Sequence, residues 1–158
     1  MRTVAAVIVF ICCFGVGVRK SYAAKKRVAF LDELISMLTD FSIEIRFKLP
    51  TLGELIHNQH CEFAARVNRK MLNGSDVRTA WEMACLECKL KTPESDLLAE
   101  FGRAFGNSDG NGELQLLQLY IERFSKLREE AFQEYSQKGK AAAKIGALCG
   151  TAGAVLVL

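Results

Sequence analysis

The chain has 158 residues, a formal net charge of +3, six cysteines and an apolar fraction of 50%. This length accommodates one domain, and the modest charge, without aromatic residues interleaved among the basic ones, argues against a nucleic-acid-binding surface. The apolar residues are unevenly distributed, because residues 3–18 and 145–158 contain no charged side chain.

The first uncharged run predicts an N-terminal transmembrane anchor over residues 1–20. The run is shorter than the ~20 residues of a typical spanning helix, but it joins a strongly helical charged segment. A secretory signal peptide cleaved near Ala23 and Ala24 is the alternative. Arg19 and Lys20 lie between the run and that cleavage site, which favours an uncleaved anchor. Basic residues follow the run far more often than they precede it, so the region after it is expected to be cytoplasmic.

Residues 25–140 are predicted to form the cytoplasmic helical domain. Its first helix continues directly from the anchor and has apolar residues spaced three and four positions apart, namely Val28, Leu31, Leu34, Ile35, Leu38, Phe41 and Ile45. Pro50 ends this helix. Thr51 and Glu54 then have the spacing of a capping box for a second helix, whose apolar stripe extends to Val67.

Three further helices are predicted after a turn at residues 73–75. Ser75 is expected to cap the first of them and Thr92 the second, with proline following Thr92. The second ends at Gly106, and the third begins near Asp109, with Ser108 or Asp109 as its cap. No segment shows the alternation of a β-strand with hairpin signals. The predicted fold is therefore all-α, a small helical bundle flanked by N-terminal and C-terminal transmembrane helices.

The C-terminal run predicts a second transmembrane helix over residues 141–158. Gly146, Gly150 and Ala154 form a row of small residues at intervals of four. Such rows let transmembrane helices approach closely, so this face is a candidate for packing on another helix, for example the N-terminal anchor. The alternative is that small residues simply fill a short apolar segment.

The stretch FGNSDGNGELQL, residues 105–116, approaches the pattern of a calcium-binding loop. Asn107, Asp109, Asn111 and Gly112 occupy the first half of the pattern. The pattern fails at its end, where Gln118 stands in place of the bidentate glutamate, and one carboxylate is a weak ligand set for calcium. A turn that caps the following helix is the favoured interpretation.

Cysteine and histidine residues suggest an alternative function, that of a zinc-binding or redox membrane protein. Zinc or redox activity would use five residues if two helices face each other, namely His57, His60, Cys61, Cys85 and Cys88. The other interpretation places the two cysteines of the CxxC on a core-facing stripe with Trp81, and a cytoplasmic domain keeps its thiols reduced. No catalytic motif is present, so we expect neither enzymatic activity nor a cofactor.

The order of these segments resembles the stage III sporulation protein AB family. The shared features are an N-terminal anchor, the Pro-Thr-Leu turn at residues 50–52, the SDVRTAW segment, REEA, KGK and a glycine-rich apolar tail. The most specific feature is the pattern FG-x-x-[LF]G-x-SD-x5-Q, matched by Phe101, Gly102, Gly106, Ser108, Asp109 and Gln115. Phe105 stands where leucine is expected, and the CxxC is not associated with the family.

The resemblance implies a cytoplasmic domain similar to that of the type II secretion system F protein, a membrane platform for a cytoplasmic assembly ATPase. The protein would lie in the mother-cell membrane facing the forespore and contact other channel subunits, and it could form a homo-oligomer. The ATPase contact is expected at the polar turn, with four candidate partner-binding residues: Ser108, Asp109, Asn111 and Gln115.

Overall fold

The computed structural model describes the backbone of residues 2–48, 50–88 and 90–157 and the side chains of residues 22–48, 50–88 and 90–137. This backbone forms six α-helices and contains no strand. The helices are α1 (Arg2–Phe47), α2 (Leu52–His57), α3 (Glu62–Leu72), α4 (Val77–Glu87), α5 (Thr92–Ala104) and α6 (Gly110–Val157). The all-α prediction is confirmed.

The predicted membrane segments, residues 1–20 and 141–158, lie outside the described side chains, as do Gly146, Gly150 and Ala154. Among the described residues, no helix is both long and apolar enough to cross a membrane. The two membrane segments therefore stay predictions. The backbone of α1 is nevertheless one uninterrupted helix from Arg2 to Phe47, as expected for a first domain helix that continues from the N-terminal run.

The chain divides into two compact units. Unit 1 comprises Met1–Ala29 and Glu129–Leu158, and unit 2 comprises Phe30–Arg128. Within the described part of unit 1, Arg27 donates a hydrogen bond from Nη1 to Glu134 Oε2 at 2.7 Å. Because this charge-assisted bond joins α1 to α6, it ties the two chain segments of unit 1 together.

The capping box at the start of α2 is confirmed. Thr51 Oγ1 accepts the backbone N–H of Glu54 at 3.4 Å, and Glu54 Oε2 accepts the backbone N–H of Thr51 at 2.8 Å. Hydrogen bonds from the backbone and hydroxyl of Thr51 lower the pKa of the Glu54 carboxyl below its ordinary value. Satisfying these N–H groups lets α2 begin at Leu52, only two residues after Pro50.

The second predicted helix is in fact two helices, α2 and α3, so the prediction of one helix is wrong at residues 58–61. Asn58 is the C-terminal cap of α2, and Gln59 donates its N–H to Ile56 O at 3.1 Å. Cys61 then caps α3, with Sγ accepting the N–H of Ala64 at 3.4 Å. Apolar spacing continues across the break, and cysteine is an unusual cap, so the sequence pattern conceals it.

Two predicted caps lie one residue from the observed ones. Asp76, and not Ser75, caps α4, because its Oδ2 accepts the N–H of Arg78 at 3.1 Å. Lys91, and not Thr92, is the N-cap residue of α5, and its backbone N–H donates to Glu94 Oε2 at 3.2 Å. The turn between α3 and α4 is confirmed, with Gly74 in the left-handed region at φ 89°.

Trp81 is the central side chain of the α3–α4–α5 packing and is fully buried. Its ring meets Phe63 of α3 edge-on at 4.7 Å between centroids and lies 5.5 Å from Phe101 of α5. The indole Nε1–H donates to Leu98 O at 2.8 Å. A side chain at Gly102 would place Cβ 2.3 Å from Trp81 Cδ1, so only glycine lets the indole lie this close to α5.

Phe105 connects this cluster to the rest of unit 2. Its ring lies 5.3 Å from Phe101 and 6.3 Å from Phe41 of α1, measured between centroids. Tyr120 of α6 meets Phe101 edge-on at 5.2 Å. The aromatic network therefore joins α1, α3, α4, α5 and α6, and it fixes the point at which the chain leaves α5.

We expect Gly102→Ala to lower the free energy of unfolding by about 1–3 kcal/mol, because the added methyl group must displace the buried indole. Gly53→Ala is the matched control. Gly53 also lies in a helix, but its Cβ would meet only the flexible end of Met71 at 3.5 Å, and alanine favours helices. Thermal unfolding of the two full-length variants, followed by circular dichroism, should separate them. Equal melting temperatures would contradict the described packing.

Candidate functional site

The predicted partner-binding residues lie in and just after the turn between α5 and α6. Ser108 and Asp109 belong to the turn, and Asn111 and Gln115 belong to the first two turns of α6. Phe105 is the C-terminal cap of α5, and its N–H donates to Phe101 O at 2.9 Å. Gly106 follows in the left-handed region at φ 85°. Glycine adopts this conformation without steric cost, so the chain leaves the helix at the predicted position.

Asp109 is the N-terminal cap of α6. Its Oδ1 accepts the N–H of Gly112 at 2.9 Å. The sequence left Ser108 and Asp109 as alternative caps, and the structure selects Asp109. A Cβ at Gly112 would lie 2.8 Å from Ser108 Cβ, so the turn packs closely against the first helical residues. The cap satisfies a helix N–H and places a negative charge at the positive end of the helix dipole.

Glu113 determines the backbone path of the turn, and the sequence analysis did not identify it. Its Oε1 accepts two backbone N–H groups, from Gly106 at 3.0 Å and from Ser108 at 2.9 Å. The residue is only 6% exposed, and among the described residues Oε2 has no hydrogen-bonding partner. A glutamate in the first turn of a helix that follows a glycine-rich loop was the available signal.

Asn107 attaches the turn to two helices. Its Nδ2 donates to the carbonyl oxygens of Arg103 at 2.9 Å and Ala104 at 3.0 Å, which lie at the end of α5. Its Oδ1 accepts a hydrogen bond from Arg78 Nη2 of α4 at 3.1 Å. The amide therefore binds carbonyl groups that the end of a helix leaves without an intrahelical partner, and it connects the turn to both α4 and α5.

The remaining polar side chains of the turn face solvent. Ser108, Asp109, Asn111 and Gln115 are all exposed. Within the described part of the chain, the side chains of Asn111 and Gln115 form no hydrogen bond. Asn111 and Gln115 lie one helical turn apart on the same face of α6. Asp109 and the two amides have different roles. The Asp109 carboxylate holds the turn, whereas the side-chain amides of Asn111 and Gln115 are available to a partner.

The geometry does not favour a calcium site. The one carboxylate in the first half of the calcium pattern, Asp109, binds the N–H of Gly112, and the adjacent carboxylate of Glu113 binds two N–H groups. Among the described residues, no group of three or more histidine, cysteine, aspartate or glutamate side chains is placed to hold a metal ion. The acidic residues of this turn act on its own backbone.

The five residues of the zinc or redox alternative do not form a site. Cys85 and Cys88 are buried, Cys61 is half-buried beside Met37, and His57 and His60 are exposed. Burial raises the pKa of Cys85 to about 12 and raises the pKa values of Cys88 and Cys61. Metal binding and thiol exchange require the thiolate, which these surroundings disfavour. The interpretation of Cys85 and Cys88 as core residues is the one that the structure supports.

We expect Cys85 to react with iodoacetamide at pH 8 at least ~100-fold more slowly in the folded chain than in the denatured chain, because the raised pKa suppresses the thiolate. Thr79→Cys supplies an exposed thiol on the same helix as a control. Peptide mass spectrometry resolves each cysteine separately. Equal labelling rates for Cys85 and the introduced cysteine would contradict the assignment.

We expect Glu113→Ala to lower the free energy of unfolding by about 1–3 kcal/mol, because the N–H groups of Gly106 and Ser108 lose their acceptor. Glu113→Gln retains an acceptor oxygen and should lose less. Glu122→Ala removes an exposed carboxylate from the same helix and should change stability by less than about 0.5 kcal/mol. Thermal unfolding of the three full-length variants provides the test. A Glu113→Ala chain as stable as Glu122→Ala would show that the carboxylate does not hold the turn.

Comparison with known proteins agrees with the family resemblance seen in the sequence. The sequence model of the stage III sporulation protein AB family matches residues 2–158. A solved structure of a stage III sporulation protein AB shares the fold, with a TM-score of 0.57 and 20% identity over 70% of this chain and 97% of that one. No curated protein matches the chain. Since the family match extends over almost every residue, the chain belongs to the stage III sporulation protein AB family and has a role in sporulation.

Proposed function

We propose that this chain is a non-enzymatic membrane platform protein of a secretion-like sporulation channel complex. In this proposal the chain docks a cytoplasmic assembly ATPase to the mother-cell membrane facing the forespore, and its membrane helices contact other channel subunits. Family membership supports the sporulation role. The observation that carries the docking role is the preformed polar turn between α5 and α6.

Membrane anchoring is supported by the charge pattern and by the backbone of α1. The two uncharged runs lie at the chain ends, and basic residues gather on their inner sides. The α1 helix passes through the possible cleavage region near Ala23 and Ala24 without a break, which favours an anchor over a removed signal peptide. The small residues Gly146, Gly150 and Ala154 would then pack the two membrane helices together or pack one on a channel subunit.

The docking role is supported by the way in which the turn is held. Glu113, Asp109 and Asn107 satisfy the backbone groups of the turn. A partner therefore meets a surface that is already ordered and does not lose affinity by ordering it. The exposed amides of Asn111 and Gln115 can each donate and accept hydrogen bonds. Such a surface suits recognition of polar backbone and side-chain groups on a folded protein.

We expect the double variant Asn111→Ala with Gln115→Ala to bind the purified assembly ATPase about tenfold more weakly than the unchanged chain, since two hydrogen-bonding side chains are lost at ~0.5–1.5 kcal/mol each. Binding is measured on the full chain in lipid nanodiscs by biolayer interferometry. Asp109 is left unchanged, because its loss would also weaken the cap of α6.

Asn73→Ala is the matched control for this experiment. Asn73 is an exposed asparagine in a different turn of unit 2, between α3 and α4. Its contacts to Arg69, Lys70 and Met71 use the backbone N–H, which alanine retains. Unchanged ATPase affinity in the double variant, or an equal loss in Asn73→Ala, would refute docking through the α5–α6 turn.

A further inference from the structure

A cleft of about 730 Å³ lies in unit 2 where α1 ends. It is lined by Ile43, Glu44, Phe47, Lys48, Pro50, Gly53, Glu54, His57, Asn58 and Met71. Gly53 contributes no side chain to this lining, and a Cβ there would lie 3.5 Å from the flexible end of Met71. Its volume falls within the roughly 300–1,000 Å³ of clefts that accept ligand-sized groups, so it has room for an aromatic ring.

A large apolar side chain projects beside this cleft. Phe47, the last residue of α1, is 83% exposed, and Ile43 lies one helical turn before it and is half exposed. Isolated exposed apolar residues are common on protein surfaces. In this case the exposed Phe47 ring is itself one of the residues that line the cleft. A projecting ring and a cleft with room for a ring therefore lie side by side in one small surface patch.

The rim of the cleft has both signs of charge. Glu44 and Glu54 contribute carboxylates, and Lys48 contributes an ammonium group four residues after Glu44. The hydroxyl and backbone of Thr51 stabilise the ionised form of Glu54, whose pKa is lowered. A partner of uniform charge would place like charges together at some part of this rim. A surface of mixed charge is best matched by a second surface of mixed charge.

We propose that this patch, formed by the residues that line the cleft, is a two-fold interface between two copies of the chain. A two-fold axis requires one surface to complement itself. The ring of Phe47 from each copy enters the cleft of the other, and Lys48 of each copy meets the Glu44 or Glu54 carboxylate of the other. The ten residues that line the cleft are fewer than the ~20–30 residues that each partner contributes to a standard interface, so the contact is weak between freely diffusing chains. This step rests on the proposed membrane anchoring, which would give two copies a higher effective concentration and so favour the contact.

Photo-crosslinking of the full chain in liposomes tests this interface. Phe47→p-benzoylphenylalanine should yield a covalent dimer on illumination, with the crosslink in residues 50–58 or at Met71. Mixing isotopically labelled and unlabelled chains separates crosslinks between copies from those within one chain. The same replacement at Leu86, which is 84% exposed on α4, is the control and should yield at least tenfold less dimer.

Charge exchange tests the two-fold geometry. We expect Lys48→Glu alone and Glu44→Lys alone each to reduce the dimer crosslink at least fivefold, and the double exchange to restore most of it. Because Glu44 and Lys48 are also one helical turn apart in the same chain, the two single variants are mixed as well. Across the two-fold axis each mixed pair is then attractive and the crosslink between unlike copies should return, whereas a pair within one chain stays like-charged. The proposal fails if Phe47 crosslinks only within its own chain, only to another protein, or no better than Leu86. ATPase binding is measured separately, so the dimer and the docking function can fail independently.

Discussion

The Phe101 ring makes the contacts on which unit 2 depends. It lies between 5.2 and 5.5 Å from Trp81, Phe105 and Tyr120, measured between ring centroids, and thereby joins α4, α5, α6 and the turn that follows α5. Because Phe105 is the first residue of that turn, the aromatic core determines where the turn begins. Glu113 then determines its course by binding two of its N–H groups. The polar surface proposed for docking is thus a consequence of apolar packing beneath it and of one buried carboxylate.

The sequence predicted those features whose physical cause is local. Thr51 and Glu54 satisfy each other's N–H groups within one helical turn, so their spacing alone identified the cap. Gly106 turns the chain away from the end of α5 because glycine tolerates a positive φ. Asp109 caps α6 because a short acidic side chain reaches the first N–H groups. The apolar stripe of α1 likewise predicted its buried face, including Phe41. For the candidate site, the sequence identified the turn and its exposed side chains, and the resemblance supplied the role proposed for them.

The sequence did not predict features whose cause lies in packing between helices. The break between α2 and α3 preserves the apolar periodicity on both sides, and a thiol at Cys61 supplies the cap. Glu113 looks like an ordinary first-turn glutamate until the path of the preceding turn is known. The closeness of Gly102 to Trp81 joins residues from different helices, which no local pattern encodes. The cleft near Phe47 is likewise formed by α1, α2 and α3 together.

The central claim is that a preformed turn between α5 and α6 is the contact surface for the ATPase. Hydrogen–deuterium exchange of the full chain in nanodiscs, with and without the purified ATPase, tests it most directly. The account predicts slow exchange at Gly106, Ser108 and Gly112 in the free chain, because their N–H groups are bound, and additional protection confined to residues 106–115 when the ATPase is present. Fast exchange at those three amides in the free chain, or protection by the ATPase only elsewhere, would contradict the account.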